Sequence, residues 1–393
     1  MERRLAMPWN ETVIMEQRLQ FIIACKRKEY SVAELCRQFG ISRKTGYKWL
    51  ERYESKDLSS LYDRSRARHQ QALRISTDVA LRLIVAKHAH PDWGPRKIRD
   101  WFRLKDPEFS VPAASTIGDL FKKNGLVNSL IRRPRPPCYH KEFTAIEAPN
   151  DVWSADFKGD FLLGNKRRCY PFTLTDNHSR FILSCQGTYR IRGDFVVSCL
   201  EKAFYEYGLP YAIRTDNGKP FAGSGLAGLS QLSVWLIKLG ILPERIDLGH
   251  PEQNGRHERM HRSLKTGMIY DRLYNDLSLQ QDWFDHYVAE FNNERPHESL
   301  NGLTPGHIYK RSQREYDGKT PQMTLPDDKL LKKVGSHGLI RWGSQRIFVS
   351  EVLDGEYVCL TQEDERLWRV EFGPLLLGYL DNQAKKIIRP KKG

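Results

Sequence analysis

The chain has 393 residues, enough for several domains and sizeable cores, and sets 63 Lys/Arg against 48 Asp/Glu for a formal charge of +15. Seven cysteines without a Cys-x-x-Cys pair argue against a disulfide framework or a cysteine-rich zinc site and suit a reducing interior. No apolar run approaches the ~18–20 residues of a membrane span and no signal-peptide pattern opens the chain, so a soluble, intracellular protein without a membrane partner is expected.

The charge is uneven. Residues 1–148 hold 29 Lys/Arg and 17 Asp/Glu, whereas 149–393 hold 34 and 31. Clustered cations release condensed counterions from phosphates, so a basic front half points to nucleic acid as partner.

In the front half, apolar positions at helical spacing (Val13, Ile14, Leu19, Ile22, Ile23) predict a helix over 11–28. Ser31 and Glu34 form a capping box for a short helix reaching Phe39, and Gly40 turns the chain. Ser42 then caps a basic helix from Arg43 to Leu50. This is a helix-turn-helix, with Arg43, Lys44, Thr45, Tyr47 and Lys48 toward a DNA groove and Trp49 and Leu50 packed inward. Residues 55–75 are polar and basic, a linker able to lie along phosphates. A second, less sharply marked helix-turn-helix runs from Ser76 to Gly125. In it Pro95 opens a helix carrying Arg96, Lys97 and Arg99. Residues 132–149 are a basic, proline-stiffened boundary.

From Asp151 the apolar pattern has period two. Runs at 152–157, 161–163, 170–176 and 181–185 read as strands, 194–207 as a helix, 211–215 as a strand, 224–239 as a helix and 245–248 as a strand. Three antiparallel strands followed by alternating helices and strands make an α/β layout around one sheet. Another amphipathic helix follows over 278–299, and 330–390 returns to short strands that suggest a small β-barrel.

The stretch from His250 to Lys265 is a turn running into a helix whose early turns carry Glu258. His261, Arg262 and Lys265 are expected to share its face. Asp156 and Asp216 each close a strand-like run. Three acids delivered by two strand ends and a helix form a hard oxygen site suited to Mg²⁺ or Mn²⁺. Two such ions about 3.5–4 Å apart serve an in-line phosphoryl displacement. Asp176 reads as a turn former or site-supporting residue, Asp160 as solvent-facing and Trp153 as core.

Trp153-Ser154-Ala155-Asp156, Thr215-Asp216-Asn217-Gly218 and the run from Gly255 through Glu258 to Lys265 resemble the three acid motifs of the DDE transposase and retroviral integrase core. The segment from Phe291 to Pro305, together with Pro8-Trp9 and the run from Ile41 to Tyr53, is similar to parts of bacterial insertion-sequence transposases. The resemblance implies an α/β RNase H-like catalytic core behind all-α helix-turn-helix domains, with a C-terminal small β-barrel that assists DNA binding. It implies a cytoplasmic, nucleoid-associated bacterial enzyme that binds the ends of a mobile element, cleaves their 3′ ends and joins them to target DNA. Double-stranded DNA is its partner, and a homo-oligomer of at least two copies forms on it.

On this reading Asp156, Asp216 and Glu258 are catalytic and bind two Mg²⁺ or Mn²⁺ ions. The DNA contacts are Arg43, Lys44, Thr45, Tyr47, Lys48, Arg96, Lys97, Arg262 and Lys265. Glu252 follows Asp216 with 35 residues between, the interval familiar in the superfamily, and Glu258 with 41. The resemblance implies Glu258, because the family's catalytic glutamate lies just inside the helix and seven residues before a lysine, an offset that Lys265 fits. The implied domains are a helix-turn-helix at 1–58, a linker at 59–75, a second helix-turn-helix at 76–131, a linker at 132–149, the core at 150–315 and the barrel at 330–393. One rival is a transposase-derived DNA-binding regulator with an inert core. Another is a zinc metalloprotease, because His257-Glu258-Arg259-Met260-His261 matches His-Glu-x-x-His. The two histidines are not expected to converge on one ion.

Overall fold

The computed structural model describes residues 14–53, 57–63, 75–127, 143–223, 225–270, 274–323, 326 and 328–389. They fall into two compact units, one within residues 1–74 and one within 75–393.

The first unit is a helical trio, α1 (Ile14–Arg27), α2 (Val32–Gln38) and α3 (Arg43–Arg52). The Ser31–Glu34 capping box is formed in both directions, and Ser42 caps α3 through the Thr45 N–H. Gly40 has φ +64°, the left-handed turn between the two helices. Phe21, Ile22, Leu35, Cys36 and Trp49 make the core. Gly46 is where α3 crosses α2: a Cβ there would lie 2.5 Å from Cys36 Sγ and 3.0 Å from Phe21 Cζ. The core extends into part of the stretch expected to be linker. Leu61 is fully buried in it, and Arg18, stacked over Trp49, donates to the Leu61 carbonyl at 2.8 Å and pairs with Asp63. One apolar side chain with a backbone acceptor beside it ties 57–63 down. Residues 64–74 and 132–142 of the expected basic linkers lie outside the described residues.

The second unit opens with α4 (Thr77–Ala89), α5 (Pro95–Lys105) and α6 (Ala114–Lys123), packed around Leu83, Trp93, Ile98, Ile117 and Phe121. Pro95 stands at the start of α5, and Gly125 closes α6 with φ +69°.

Next comes the sheet: β1 (Val152–Phe157), β2 (Phe161–Leu162), β3 (Arg168–Asp176), β4 (Ile182–Thr188), α7 (Gly193–Tyr207), β5 (Ala212–Thr215), α8 (Gln231–Lys238), β6 (Leu242–Arg245), α9 (Gly255–Tyr270), α10 (Leu277–Asn293) and the short α11 (Pro305–Ile308). β1 and β2 pair antiparallel with successive parts of β3, whose other edge takes β4. β5 joins β1 in parallel, and β6 joins β5 in parallel. The last strand therefore forms three residues earlier than its sequence pattern suggested.

Strand alternation sorts the two faces. Trp153, Ala155, Phe172 and Leu174 point into a core with Val196, Leu200 and Phe204 of α7 and Leu232 and Leu236 of α8. Cys169, Ile182 and Cys185 face Met260 and Leu264 of α9 and Phe284, Tyr287 and Phe291 of α10. Two helices on each face of one sheet make a three-layer core. The N-terminal helices of this unit dock on its far end through His90–Glu290 at 3.0 Å and Asp92–Arg295 at 2.8 Å.

The C-terminal strands are β7 (Leu330–Lys333), β8 (Leu339–Trp342), β9 (Gln345–Phe348), β10 (Tyr357–Gln362), β11 (Leu367–Phe372), β12 (Leu375–Asp381) and β13 (Lys386–Ile388). They do not close into the expected barrel. Among the described residues, one open antiparallel sheet runs β13-β12-β11-β10-β7, and β8 forms a ladder with β9. An isolated bridge, Gly335 to Leu339, links the stretch after β7 to β8, and among the described residues no ladder carries the hydrogen bonding around. The two sheets enclose Val334, Ile340, Val349, Val358, Val370 and Phe372, and Leu226, Leu229, Val234 and Ile237 from beside and within α8 join that core.

Candidate active site

The site is built where β1 and β5 end side by side. Asp156 is the penultimate residue of β1, and Asp216 immediately follows β5, accepting the Gly218 N–H at 3.0 Å. The carboxyl ends of adjacent parallel strands are the usual place for a site in an open α/β sheet. Glu258 lies in the first turn of α9 and is exposed.

The charges of Asp216 and Glu258 both reach Asp156. Burial, then the charge of Asp216, with a further push from Glu258, raise the Asp156 carboxyl to about 7, against the pull of the Phe157 N–H and Lys158. Glu252 is turned elsewhere. It accepts from His250 Nδ1 at 2.8 Å, and that partner holds it below the usual carboxylate range.

The floor under α9 was not anticipated. Because Trp153 and Ala155 face α7, Ser154 and Asp156 face α9, and Thr173 and Thr175 do so from β3. Ser154 Oγ donates to Asn254 Oδ1 at 2.8 Å and accepts from Asn177 Nδ2 at 2.8 Å, pinning the turn that starts α9. His257 and His261 are both buried on this face, at 1% and 7% exposure, whereas Glu258, Arg262 and Lys265 are exposed. The expected common face for Glu258 and His261 is thus corrected: His261 turns to the sheet.

The two histidines also come close to each other. Their nitrogens and an Asp156 oxygen lie within 4.8 Å of one another. Thr173 Oγ1 lies 3.1 Å from the Asp156 carbonyl, 2.8 Å from His257 Nε2 and 2.7 Å from His261 Nε2, while Thr175 Oγ1 lies 2.7 Å from His257 Nδ1. One assignment satisfies all four contacts: Thr173 donates to the carbonyl and accepts from both Nε2–H groups, and Thr175 donates to His257 Nδ1. His261 Nδ1 is then a bare lone pair 3.8 Å from Asp156 Oδ2. Burial lowers His257 to about 3, and burial together with His257 and Lys158 lowers His261 to about 2, so both rings are neutral. Both His257 nitrogens and His261 Nε2 are engaged by threonine hydroxyls. That leaves His261 Nδ1 and Asp156, short of the set a zincin requires.

The expected DNA contacts divide. Arg43, Lys44, Tyr47 and Lys48 are exposed along α3, and Tyr47 is 60% exposed. Thr45 is half-buried, its hydroxyl 2.8 Å from Ser42 Oγ within the cap. Arg96 pairs with Glu298. Lys97 is drawn inward against α9 and the segment after α10.

Integrase core domain models match residues 146–251 and 239–305, a helix-turn-helix domain model matches 17–69, and a homeodomain-like domain model matches 45–121. The chain is 28% identical over 228 residues to an uncharacterized 39.2 kDa protein of insertion element IS476 from Xanthomonas euvesicatoria. That match spans 58% of this chain and 63% of the relative. A 31.7 kDa protein of insertion element IS407 from Burkholderia multivorans is 27% identical, over 58% of this chain and 79% of that one. The integrase catalytic core domain of HTLV-2, solved with magnesium, aligns with 42% of this chain and 99% of its own at 19% identity and a TM-score of 0.33.

Sheet order, acids at strand ends and domain matches define the class: helix-turn-helix units joined to an RNase H-like integrase core. Within it, the chain is similar to proteins of bacterial insertion elements. Among the described residues no helix is long and apolar enough to cross a membrane.

Proposed function

We propose that the chain is a DNA transposase that binds the ends of a mobile element, cuts their 3′ ends and joins them to target DNA. What supports this reading is the placement of Asp156 and Asp216 at the ends of adjacent parallel strands and of Glu258 in the first turn of α9, with the charges of Asp216 and Glu258 both reaching Asp156. Three acids held together at a cost in charge repulsion suit a hard divalent cation, and all-oxygen donors favour Mg²⁺ or Mn²⁺. Asp156, Asp216 and Glu258 would hold two such ions, which when bound polarise the phosphodiester and acidify the attacking hydroxyl.

The residues of the chain do the positioning. The Phe157 N–H and Lys158 favour the ionised form of Asp156. Thr173 and the neutral histidines fix α9 against β1 and β3, and with it Glu258. Arg262 and Lys265, exposed on the outer side of α9, are placed to meet backbone phosphates, and α3 supplies the end-reading face with Arg43, Lys44, Tyr47 and Lys48. In the first reaction a water oxygen bonds to phosphorus and the 3′-oxygen leaves, giving a 3′-hydroxyl on the element and a 5′-phosphate on the flank. In the second that hydroxyl attacks a target phosphodiester and displaces a target 3′-hydroxyl. Joining two ends calls for at least two copies of the chain on bacterial DNA. The six segments set out from the sequence, from the helix-turn-helix at 1–58 to the C-terminal domain at 330–393, belong to this proposal.

The test is incubation of the purified protein with its own flanking DNA and Mg²⁺, mapping every new 3′ end. Discrete ends that depend on metal support the proposal. Binding without any new 3′ end would favour the inert regulator.

A further inference from the structure

On the side of α9 that looks away from Asp156, four cations surround a small cavity. Its volume is about 90 Å³, the scale of one tetrahedral oxyanion rather than of a nucleotide. Lys97 enters from α5, Arg180 from the turn between β3 and β4, and Arg256 and Arg259 from the first turns of α9. His297, on the segment after α10, adds an Nε2 that is buried with no hydrogen-bond partner.

Asp176 acts favourably on Arg180 and Arg256, and Asp92 and Glu298 on Lys97, but among the described residues no ion pair ties any of the four cations to an acid. Arg180 and Arg256 each give one N–H to the Asn177 carbonyl, at 2.6 and 2.9 Å. The acid in the lining is Asp176, and its two oxygens already accept the Asn150 N–H at 2.8 Å, the Ser179 N–H at 2.7 Å and the Ser179 O–H at 2.6 Å. Arg295 nearby pairs with Asp92 at 2.8 Å. Like charges packed at partial burial are unfavourable unless an anion joins them. Lys97 shows the strain: burial and then Arg295 hold its ammonium down at about 8.

We propose that this cavity is a phosphate pocket that takes one backbone phosphate of the bound DNA, a chemistry that a free phosphate ion shares. The proposal rests on the transposase reading. Its walls come from the second helical unit, the β3–β4 turn and α9, so an occupied pocket locks α5 onto the helix that carries Glu258. DNA bound there holds the acid helix in place, and charge-assisted N–H···O bonds from guanidinium groups suit a phosphate better than any neutral ligand.

The test uses the full-length, metal-free protein with Lys97→Gln, Arg180→Gln and, as a charge control remote from the pocket, Lys202→Gln. In the first arm, inorganic phosphate is titrated against sodium chloride at matched ionic strength and the melting temperature is read. Wild type and Lys202→Gln should gain a saturable, phosphate-specific rise, and each pocket variant should need at least about tenfold more phosphate. In the second arm, duplex carrying the element end is bound across a salt series. Each pocket variant should lower the slope of log affinity against log salt by about 0.9, the value for one phosphate contact, with Lys202→Gln unchanged. A neutral methylphosphonate at one backbone position should weaken wild type and leave Lys97→Gln unaffected. A rise with phosphate but equal slopes and equal methylphosphonate patterns would assign the pocket to free phosphate and overturn the DNA assignment. No phosphate-specific rise with equal slopes would overturn the pocket. Absence of DNA binding by wild type, with the phosphate rise intact, would strike the transposase reading and spare the pocket. Arg180→Gln, on the opposite wall from Lys97, keeps the test open if Lys97→Gln fails to fold.

Discussion

The two sides of α9 carry opposite charge clusters of similar construction. On one side burial first, and then the charges of Asp216 and Glu258, push Asp156 up to about 7. On the other, Lys97, Arg180, Arg256 and Arg259 surround a cavity, and Lys97 is pushed down to about 8. Each cluster is unfavourable alone, and a ligand of opposite sign would relieve each: on the proposed readings, a hard dication on the first side and a phosphate on the second. One helix held between them can couple binding of the nucleic-acid backbone to assembly of the acid site. A fully paired surface, such as the Arg192–Asp194 pair at the start of α7, has no such demand.

The sharpest way to break the comparison is to neutralise the acids. Asp156→Asn, Asp216→Asn and Glu258→Gln should each lower metal-dependent cleavage by at least about a hundredfold, with end binding retained. A gel-shift and cleavage series checks both. Zinc should not replace Mg²⁺ in the same assay, given the engaged His257 nitrogens.

Next in size is the floor that separates acid side from core. Thr173→Val removes the hydroxyl shared by His257 and His261 and leaves buried ring nitrogens unpaired. Denaturant unfolding should show a loss of roughly 2–3 kcal/mol. Thr173→Ser, which keeps the hydroxyl, should recover most of it. Equal losses in the two variants would mean the methyl, not the hydrogen bonds, matters.

The titration of Asp156 gives a third, of roughly 2 kcal/mol. Its proton is held more tightly in the folded chain, so metal-free stability is lost as pH rises from about 4 through about 7. The neutral histidines act oppositely: their contribution is lost as pH falls below about 6.5. Comparing Asp156→Asn with wild type isolates the acid. The variant should gain on wild type between pH 4 and pH 8, and saturating Mg²⁺ should erase the gain. A difference flat in pH would show that the acids do not repel.

The smallest effect lies in the first unit. Lys48→Ala on the exposed side of α3 should weaken end binding by roughly 1 kcal/mol, about fivefold, with stability unchanged.

The parts of this arrangement visible in the sequence are those with a local cause. Capping residues Ser31, Glu34, Ser42 and Ser76, the Pro95 start and the Gly40 and Gly125 turns placed the front helices within a residue or two. Period-two alternation placed β1 and β3. What escaped depends on which residues meet across the sheet. Thr173 and Thr175 read as ordinary β-branched strand residues, and only the β1–β3 register, with Asp156 opposite Thr173, sets them beside α9. A helical wheel gives angles between Glu258 and His261 but not which angle faces the sheet, so His261 went to the wrong side. Leu61 looked like linker because a single apolar residue has no period. β12 and β13 lie in a terminal stretch where short runs, Leu375–Asp381 and Lys386–Ile388, give little alternation to count. The strand-rich character of the C-terminal domain was legible, but barrel closure was not, because it turns on the pairing of β7 with β8, a long-range choice no local pattern records.

The most direct test of the central claim is cleavage of a radiolabelled element end in Mg²⁺, under single-turnover conditions, by wild type, Glu258→Gln and Glu252→Gln. Wild type and Glu252→Gln should produce the same new 3′ end at comparable rates, and Glu258→Gln should produce none while binding the DNA. Cleavage that survives in Glu258→Gln and vanishes in Glu252→Gln would contradict the account.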